Sequence, residues 1–138
     1  MKKNKYTYQL QMTKEQAAVL ERALEFYTRI RNGQFQEIIY ELRNHEKVGT
    51  IEASYAADLA FQLKSILFRE LGSDRGASYG VGHDHKADVA WDIYQTIRYT
   101  SSWHEHPEGG IGVNFHEPLH TSSEPLPKCT VLQPPVQS

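Results

Sequence analysis

The stretch from Gly72 to Trp103 joins a glycine-rich loop to side chains that could bind a ligand. Four glycines fall within eleven residues and are followed at once by His83, Asp84 and His85. Glycines at this density let the backbone adopt positive φ and approach another group closely. A helix that begins near Asp84 would direct its first free N–H groups toward the loop, which is typical of a binding site for an anion such as phosphate.

Several side chains farther along this stretch could contact the same ligand if the segment is helical. These are Trp91, Tyr94, Gln95 and Arg98. Their helical spacing would place a stacking ring, an amide and a cation on one side of the helix. The alternative is that the loop only turns a corner and that the aromatic side chains pack into the core, as aromatic stripes commonly do.

The histidines suggest a second kind of chemistry, because six of the seven lie between His83 and His120 with carboxylates among them. Imidazole and carboxylate groups together suit zinc, manganese or non-haem iron. The spacing contains neither His-Glu-x-x-His nor paired Cys-x-x-Cys, and histidines near a helix end favour the helix dipole without any metal. We therefore predict no metal and no other cofactor, and a metal-dependent hydrolase remains a third hypothesis.

No catalytic motif is evident in the chain. The single cysteine, Cys129, lies in a proline-rich segment, and no serine stands in a Gly-x-Ser-x-Gly elbow. The glycine loop matches neither the phosphate-binding loop Gly-x-x-x-x-Gly-Lys-Ser/Thr nor the dinucleotide-binding pattern Gly-x-Gly-x-x-Gly. The sequence therefore does not require an enzyme.

Length and charge limit the function classes further. A chain of 138 residues is expected to form one domain. Its formal net charge of −2 gives no basic surface for duplex nucleic acid. Because no apolar run approaches a membrane span and the N-terminus has no signal-peptide core, we expect a cytoplasmic protein without a membrane partner.

The hydrophobic pattern predicts an α+β fold with about four helices, two of them long, and a small antiparallel sheet. Residues 5–12 and 111–115 alternate apolar and polar side chains and are predicted to pair as strands. The predicted helices run from Thr13 to about Arg31, from Gln34 to about Asn44, from just after Thr50 to Leu71, and from Asp84 or His85 to between Thr100 and Trp103. Thr13 and Gln16 form a capping-box pattern at the first helix.

The long helices carry wide apolar arcs. The predicted buried stripes are Ala17, Leu20, Ala23, Leu24, Tyr27 and Ile30 in the first helix, and Tyr55, Leu59, Leu63, Ile66, Leu67 and Leu71 in the third. We expect one α+β domain over residues 1–128 and a flexible, extended, proline-rich tail over residues 129–138. The width of the arcs and the exposed tail predict a homodimer or larger homo-oligomer.

Five segments, which span most of the chain between the first helix and the tail, carry a resemblance. They are ALEFYTRIRNGQF (Ala23–Phe35), LKSILFREL (Leu63–Leu71), SYGVGH (Ser78–His83), AWDIYQTIRY (Ala90–Tyr99) and EPLP (Glu124–Pro127). In these segments the chain resembles a family of small, mostly uncharacterised proteins of tailed bacteriophages. The resemblance implies a phage-encoded soluble protein of mixed helix and strand, which we expect in the host cytoplasm.

By analogy with phage proteins that lack catalytic signatures, the resemblance implies an anti-defence role. One such class sequesters cyclic nucleotides or cyclic ADP-ribose derivatives, the signals of bacterial immunity, without cleaving them. The predicted ligand-binding residues for a nucleotide-type signal are Glu25, Arg29, Gln34, Tyr79, Gly80, His83, Asp92, Tyr94, Gln95 and Arg98. Two alternatives stay open: the charged residues form ordinary ion pairs between helices, and the protein instead inhibits a host defence or replication factor by protein–protein contact.

Overall fold

The computed structural model describes residues 6–43 and 49–132, and within these ranges the regular structure is entirely helical. The α-helices are α1 (Lys14–Arg31), α2 (Glu37–Arg43), α3 (Thr50–Leu67) and α4 (His85–Glu105), and two short 3₁₀ turns cover Arg69–Leu71 and Val113–Phe115. The predicted number of helices is confirmed over the described ranges, but three of them are long and not two, because α4 has 21 residues against 18 in α1 and in α3. None of these helices is both long enough and apolar enough to cross a membrane.

The predicted antiparallel sheet, and with it the α+β fold class, is wrong. Residues 6–12 have no regular secondary structure, and the described chain contains no strand with which they could pair. At the other predicted strand, Gly109 and Gly112 have φ of 82° and 118°, and these bends lead into a 3₁₀ turn. Alternating apolar residues show that a segment could form a strand, but a strand is stable only when it is hydrogen-bonded to a second strand. Lys5, the first residue of the predicted strand, lies outside the described residues.

The start of α1 is set by local hydrogen bonds, as its sequence predicts. The Thr13 hydroxyl accepts from the Gln16 backbone N–H at 3.1 Å, while the Gln16 amide oxygen accepts from the Thr13 N–H at 2.9 Å. This reciprocal pair satisfies two N–H groups that a helix start otherwise leaves free. The helix ends at Asn32 and Gly33, whose φ of 87° suits glycine. Helix α2 starts three residues later than predicted, and Asn44, its predicted end, lies outside the described residues.

Helices α1 and α4 form the main packing contact of the described chain. Ala87 and Ala90 of α4 are buried, and their small side chains let the two helices approach closely. The Thr28 hydroxyl of α1 is buried at this contact, within 3.0 Å of the Leu24 carbonyl oxygen and 3.2 Å of the Ala87 carbonyl oxygen. A hydroxyl that reaches a carbonyl oxygen of the opposite helix fixes the two helices along their length.

Helix α3 has the opposite orientation to the one its apolar pattern predicts. Five residues of the predicted buried stripe are instead exposed: Tyr55 (67 %), Leu59 (46 %), Leu63 (45 %), Ile66 (68 %) and Leu67 (60 %). The buried side consists of Ala53 and Lys64, the latter only 2 % exposed. The Lys64 ammonium donates to the backbone carbonyls of Asp74 and Arg75 at 3.1 and 3.0 Å. These two hydrogen bonds hold the side that carries Ala53 and Lys64 inward and leave the large apolar side chains outward.

The C-terminal segment lies against α4 without forming regular structure. The buried Asp92 carboxylate accepts four hydrogen bonds, from the backbone N–H and the hydroxyl of both Thr121 and Ser122, at 2.7–3.0 Å. Farther along, the Thr100 hydroxyl donates to the Cys129 carbonyl at 3.3 Å. Residue 129, the predicted start of the tail, therefore still contacts α4. Residues 133–138 lie outside the described part of the chain.

We predict that Asp92→Asn destabilises the protein by about 2–3 kcal/mol, because an amide in place of the carboxylate turns an N–H₂ group toward hydroxyl and N–H donors. Thermal unfolding gives the size of the effect. Hydrogen exchange should show faster exchange at Thr121 and Ser122. Glu117→Gln, an exposed change in the same segment, is the control and should leave both measurements unchanged. Equal stability of Asp92→Asn and wild type would contradict this account.

Candidate functional site

The start of α4 is fixed to the end of α1 by one ion pair. Arg31 donates to both carboxylate oxygens of Asp84, at 2.7 and 2.8 Å, and Asp84 also caps α4 by accepting from the Ala87 N–H at 2.8 Å. The Arg31 hydrogen bond is the main reason that the pKa of Asp84 falls to about 2. The pKa of Arg31 is raised for the same reason. The two helix ends therefore meet at a corner held by a bidentate charge-assisted contact.

The glycine loop is attached to this corner at two points. The Tyr79 N–H donates to the Asn32 carbonyl at 2.9 Å, which anchors the loop to the end of α1. The Gly82 N–H, at a residue with φ of 92°, donates to the Asp88 carboxylate at 3.1–3.2 Å. The N–H groups of Tyr79 and Gly82 are therefore already hydrogen-bonded within the chain. These two donors are not free to bind a phosphate, contrary to the prediction for the loop.

A cleft of about 180 Å³, which we call the loop cleft, lies between the end of α1, the loop and the start of α4. Its lining residues are Thr28, Arg29, Asn32, Gln34, Tyr79, Gly80, Val81, Asp88 and Trp91. Four of these were predicted from sequence as ligand-binding residues: Arg29, Gln34, Tyr79 and Gly80. The volume is below the roughly 300 Å³ at which sites for drug-sized ligands begin, so the cleft suits a single ring system.

The amide of Asn32 is the most unusual group in this cleft. The residue is 5 % exposed, and among the described residues its side-chain oxygen is buried with no hydrogen-bond partner. Leaving a buried acceptor unsatisfied costs about 1–3 kcal/mol. Native chains seldom accept that loss unless the group pairs with something else. Asn32 lines the cleft, and its amide can pair with the polar edge of a ligand when the side chain turns its buried oxygen toward the cleft.

Aromatic rings lie beside this amide. Tyr79 and Trp91 both line the loop cleft, and the Tyr79 ring stacks on His83 with centroids 3.4 Å apart and planes at 3°. The Tyr79 hydroxyl donates to Glu70 at 2.6 Å, which raises the pKa of Tyr79 and lowers that of Glu70. His83, which was predicted to bind the ligand, does not line the cleft. It stacks on the Tyr79 ring and holds that ring in place. Tyr79 and Trp91 thus bring aromatic surface to the cleft, although His83 already covers one face of the Tyr79 ring.

Arg29 brings little net positive charge to the cleft. Its guanidinium donates to Glu25 at 3.0 Å and to the Gln34 amide oxygen at 2.9 Å, and Glu37 lies 3.9 Å away. The predicted residues Glu25, Arg29 and Gln34 are therefore in contact, as the ion-pair alternative expects. A doubly charged phosphate would have to displace these carboxylates, whereas a neutral heterocycle would not.

The remaining predicted residues lie outside the loop cleft. Asp92 binds the C-terminal segment; burial alone would raise its pKa, but the hydrogen bonds from Thr121 and Ser122 lower it overall. The Gln95 amide makes two hydrogen bonds to the Leu119 backbone, at 3.1 and 3.2 Å. Both side chains are thus used within the chain.

Tyr94 and Arg98 form a separate pair farther along α4. The Arg98 guanidinium carbon lies 4.9 Å from the Tyr94 ring centre, and its NH1 donates to the Tyr94 hydroxyl at 3.3 Å. Burial raises the pKa of Tyr94, an effect that Glu25 reinforces and Arg98 opposes. Burial likewise raises the pKa of the Glu21 carboxyl, against the lowering effect of Arg98. The predicted single ligand-facing side with Trp91, Tyr94, Gln95 and Arg98 is thus divided, because Gln95 turns to the C-terminal segment.

A second cleft, of about 240 Å³, shares Gln34 with the loop cleft. We call it the adjoining cleft, and its other lining residues are Gly33, Gln36, Glu37, Tyr40, Arg75, Gly76, Ala77 and Ser78. Arg75 brings a cation here, stacked 4.8 Å from the Phe61 ring centre and paired with Asp58 at 2.5 Å. A ligand larger than one ring could extend from one cleft to the other along Gln34.

Sequence reasoning missed the residues that give the loop cleft its character, above all Asn32 and Asp88. The Asn32–Gly33 pair indicated only a helix end, and Asp88 had no motif around it. For the metal hypothesis, no group of three or more His, Cys, Asp or Glu side chains within residues 6–43 and 49–132 is placed to hold an ion. Comparison with protein-family models, curated proteins and solved structures gives no match.

We predict that the Asp84–Arg31 pair stabilises the protein at neutral pH and that this stabilisation is lost in acid. The folded-state pKa of Asp84 is about 2, below its ordinary 3.8. The contribution is therefore fully present above about pH 4 and disappears as the pH falls toward 2. Asp84→Asn keeps a good helix cap but loses the charge, so unfolding free energies measured from pH 2 to 7 should differ from wild type only above about pH 3.

The matched control for this measurement is Asp58→Asn. Asp58 and Arg75 also form an ion pair, but both side chains are 53 % exposed, and exposed pairs contribute less than about 1 kcal/mol. The Asp58→Asn curve should run close to that of wild type. An Asp84→Asn curve that does the same would show that the corner does not depend on this charge.

Proposed function

We propose that the protein is a non-catalytic binding protein that holds the base of a nucleotide-type ligand in the loop cleft. The observation that carries this proposal is the buried Asn32 side-chain oxygen, which has no partner in the described chain. Side-chain amides read the polar edges of nucleobases by hydrogen bonding. Asn32 and Gln34 supply two such amides on the wall of one small cleft.

The rings of the cleft support a base over other polar ligands. Nucleobases are flat, and stacking on an aromatic side chain contributes about 1–3 kcal/mol per base. Tyr79 is held in one orientation by His83 and Glu70, and Trp91 lies 4.8 Å from the Tyr94 ring. Rings that are fixed before binding lose less freedom when a ligand stacks on them.

The charges favour a base inside the loop cleft with the phosphates outside it. Arg29 pairs with the Glu25 carboxylate at 3.0 Å and lies 3.9 Å from that of Glu37, so this cleft has little surplus positive charge. In the adjoining cleft, Arg75 pairs with Asp58 in a half-exposed contact that a phosphate can exchange at low cost. We therefore place the sugar and phosphate along Gln34, toward Arg75.

The biological role that we propose follows from the resemblance to tailed-phage proteins. A protein that binds a cyclic nucleotide or a cyclic ADP-ribose derivative tightly, without cleaving it, would remove an immune signal from the cytoplasm of the infected cell. At the loop cleft the Thr28 hydroxyl is bonded to backbone carbonyls and the Tyr79 hydroxyl to Glu70, which supports binding without turnover.

We predict that Asn32→Ala lowers affinity for the nucleotide ligand by about 10- to 100-fold while changing stability by less than about 1 kcal/mol. The amide oxygen that is removed makes no hydrogen bond within the described chain, so its loss leaves no partner unsatisfied. Calorimetric titration with adenosine, cyclic nucleotides and cyclic ADP-ribose gives the affinity. Thermal unfolding of the same sample gives the stability.

The matched control is Gln95→Ala, which removes another buried amide. Gln95 is 6 % exposed and bonds the Leu119 backbone twice, so this variant should lose stability yet retain affinity. Equal affinity of Asn32→Ala and wild type, or no binding of any nucleotide by wild type, would reject the proposed site.

We also predict that a bound ligand leaves the protein unaltered. The protein is incubated with the nucleotide that binds most tightly, separated from free nucleotide, and unfolded by heat. Mass spectrometry of the released molecule should then give the mass of the starting nucleotide. A hydrolysed or otherwise altered product would show instead that the protein is an enzyme.

Inhibition of a host protein is the second candidate function. It is favoured by one observation, the outward-facing apolar side of α3, since apolar patches of this extent mark protein contacts. A protein that inhibits a host protein would bind none of the nucleotides in the calorimetric titration. It would instead bind a host defence or replication factor.

A further inference from the structure

The largest continuous apolar surface on one element of the described chain lies on α3. We call it the α3 apolar face; it consists of Ile51 (83 % exposed), Tyr55 (67 %), Leu59 (46 %), Leu63 (45 %), Ile66 (68 %) and Leu67 (60 %). Their spacing is that of one helix side. The opposite side of α3 holds Ala53 and Lys64, which face the rest of the chain. The face is therefore turned fully outward.

Helix α3 cannot rotate about its own axis to bury the apolar face without losing contacts. Lys64 is 2 % exposed and donates to two loop carbonyls, so turning the apolar face inward would expose it and break both hydrogen bonds. Among the described helices and 3₁₀ turns, α3 packs against only α2 and the turn that follows it, and its other contacts are with loop residues such as Arg75. A surface held outward in this way needs another molecule to cover it.

We propose that the α3 apolar face is a self-association surface, on which α3 of a second copy of this chain packs in antiparallel orientation about a two-fold axis at Leu59. A two-fold interface must be complementary to itself, so each residue must suit the one that the axis places opposite. With the axis at Leu59, the helix rise sets Tyr55 opposite Leu63 of the other copy. Large apolar side chains thus meet large apolar side chains through the centre of the contact.

The charges on α3 favour the antiparallel arrangement. Glu52 lies in the first turn, on the same side as the apolar face, and Arg69 follows the last turn. In an antiparallel pair with the axis at Leu59, Glu52 of one copy lies opposite Ile66 of the other, three residues before the exposed Arg69. In a parallel pair, the two Glu52 carboxylates would approach each other, and like charges at an interface oppose association.

The area of the face also suits a stable pair. Large apolar side chains offer roughly 150–200 Å² each when fully exposed. At the exposures given above, the six residues together offer roughly 550–740 Å², so residues at the rim must supply the rest of the roughly 800 Å² that each partner buries in a standard interface. Adjacent exposed residues at its rim, such as Gln62, add to this area.

Sedimentation velocity of the full chain over a range of concentrations tests the proposal. We expect a wild-type dimer and a dissociation constant at least about 100-fold higher for Leu59→Glu, which places two carboxylates on the axis. Val19→Glu is the matched control, because Val19 is a 70 % exposed apolar residue on α1 and should leave the dimer intact. Circular dichroism shows whether each variant remains helical.

Cross-linking tests the orientation independently of stability. In a Cys129→Ser background, Leu59→Cys should form a disulfide-linked dimer on mild oxidation. A mixture of Tyr55→Cys and Leu63→Cys should cross-link faster than either variant alone. Faster linking of each variant to itself would indicate a parallel pair and overturn the arrangement. A wild-type chain that stays monomeric at every concentration, or a Leu59→Glu dimer as tight as wild type, would overturn self-association itself and leave the face to a different protein.

Discussion

Three carboxylates, one at the N-cap of α4 and two along the helix, hold most of the structure in place. Asp84, Asp88 and Asp92 are four residues apart, so they lie one above another along the helix. Like charges at this spacing repel, and buried carboxylates need donors. Each one has its own set: the guanidinium of Arg31, the N–H of Gly82, and the donors of residues 121–122. Helix α1, the glycine loop and the C-terminal segment are thus all positioned against α4, and the loop cleft lies where the first two meet.

Local signals predicted the helices well, whereas contacts between distant segments could not be predicted. The capping box at Thr13 and the cap at Asp84 act over a few residues, so the helix starts follow directly from the sequence. A strand depends on a partner elsewhere in the chain, and the alternation in residues 6–12 carries no information about one. Periodicity likewise shows that the apolar residues of α3 share a side. It does not reveal that two loop carbonyls draw Lys64 inward and turn that side to solvent.

The candidate site was predicted in part for the same reason. Glycines beside a helix start marked the loop, and Arg29, Gln34, Tyr79 and Gly80 come together there. Whether a polar side chain is free or already bonded depends on the full fold. Asp92 and Gln95 have the chemistry of ribose ligands, yet the C-terminal segment uses both. Asn32 shows the converse, because its place at a helix end gave no hint that its amide would lack a partner.

The contacts of α4 also constrain the order in which the chain can fold. Arg31 and Asp84 are 53 residues apart, and Asp92 and Thr121 are 29 residues apart. A nascent chain that has not yet reached α4 therefore has α1 without its packing partner, and α3 with its apolar residues outward. Contacts this distant in sequence form slowly, and exposed apolar surface in the interval promotes aggregation. The N-terminal half thus depends on the late-synthesised half for its core, and the ribosome must release most of the chain before either half is protected.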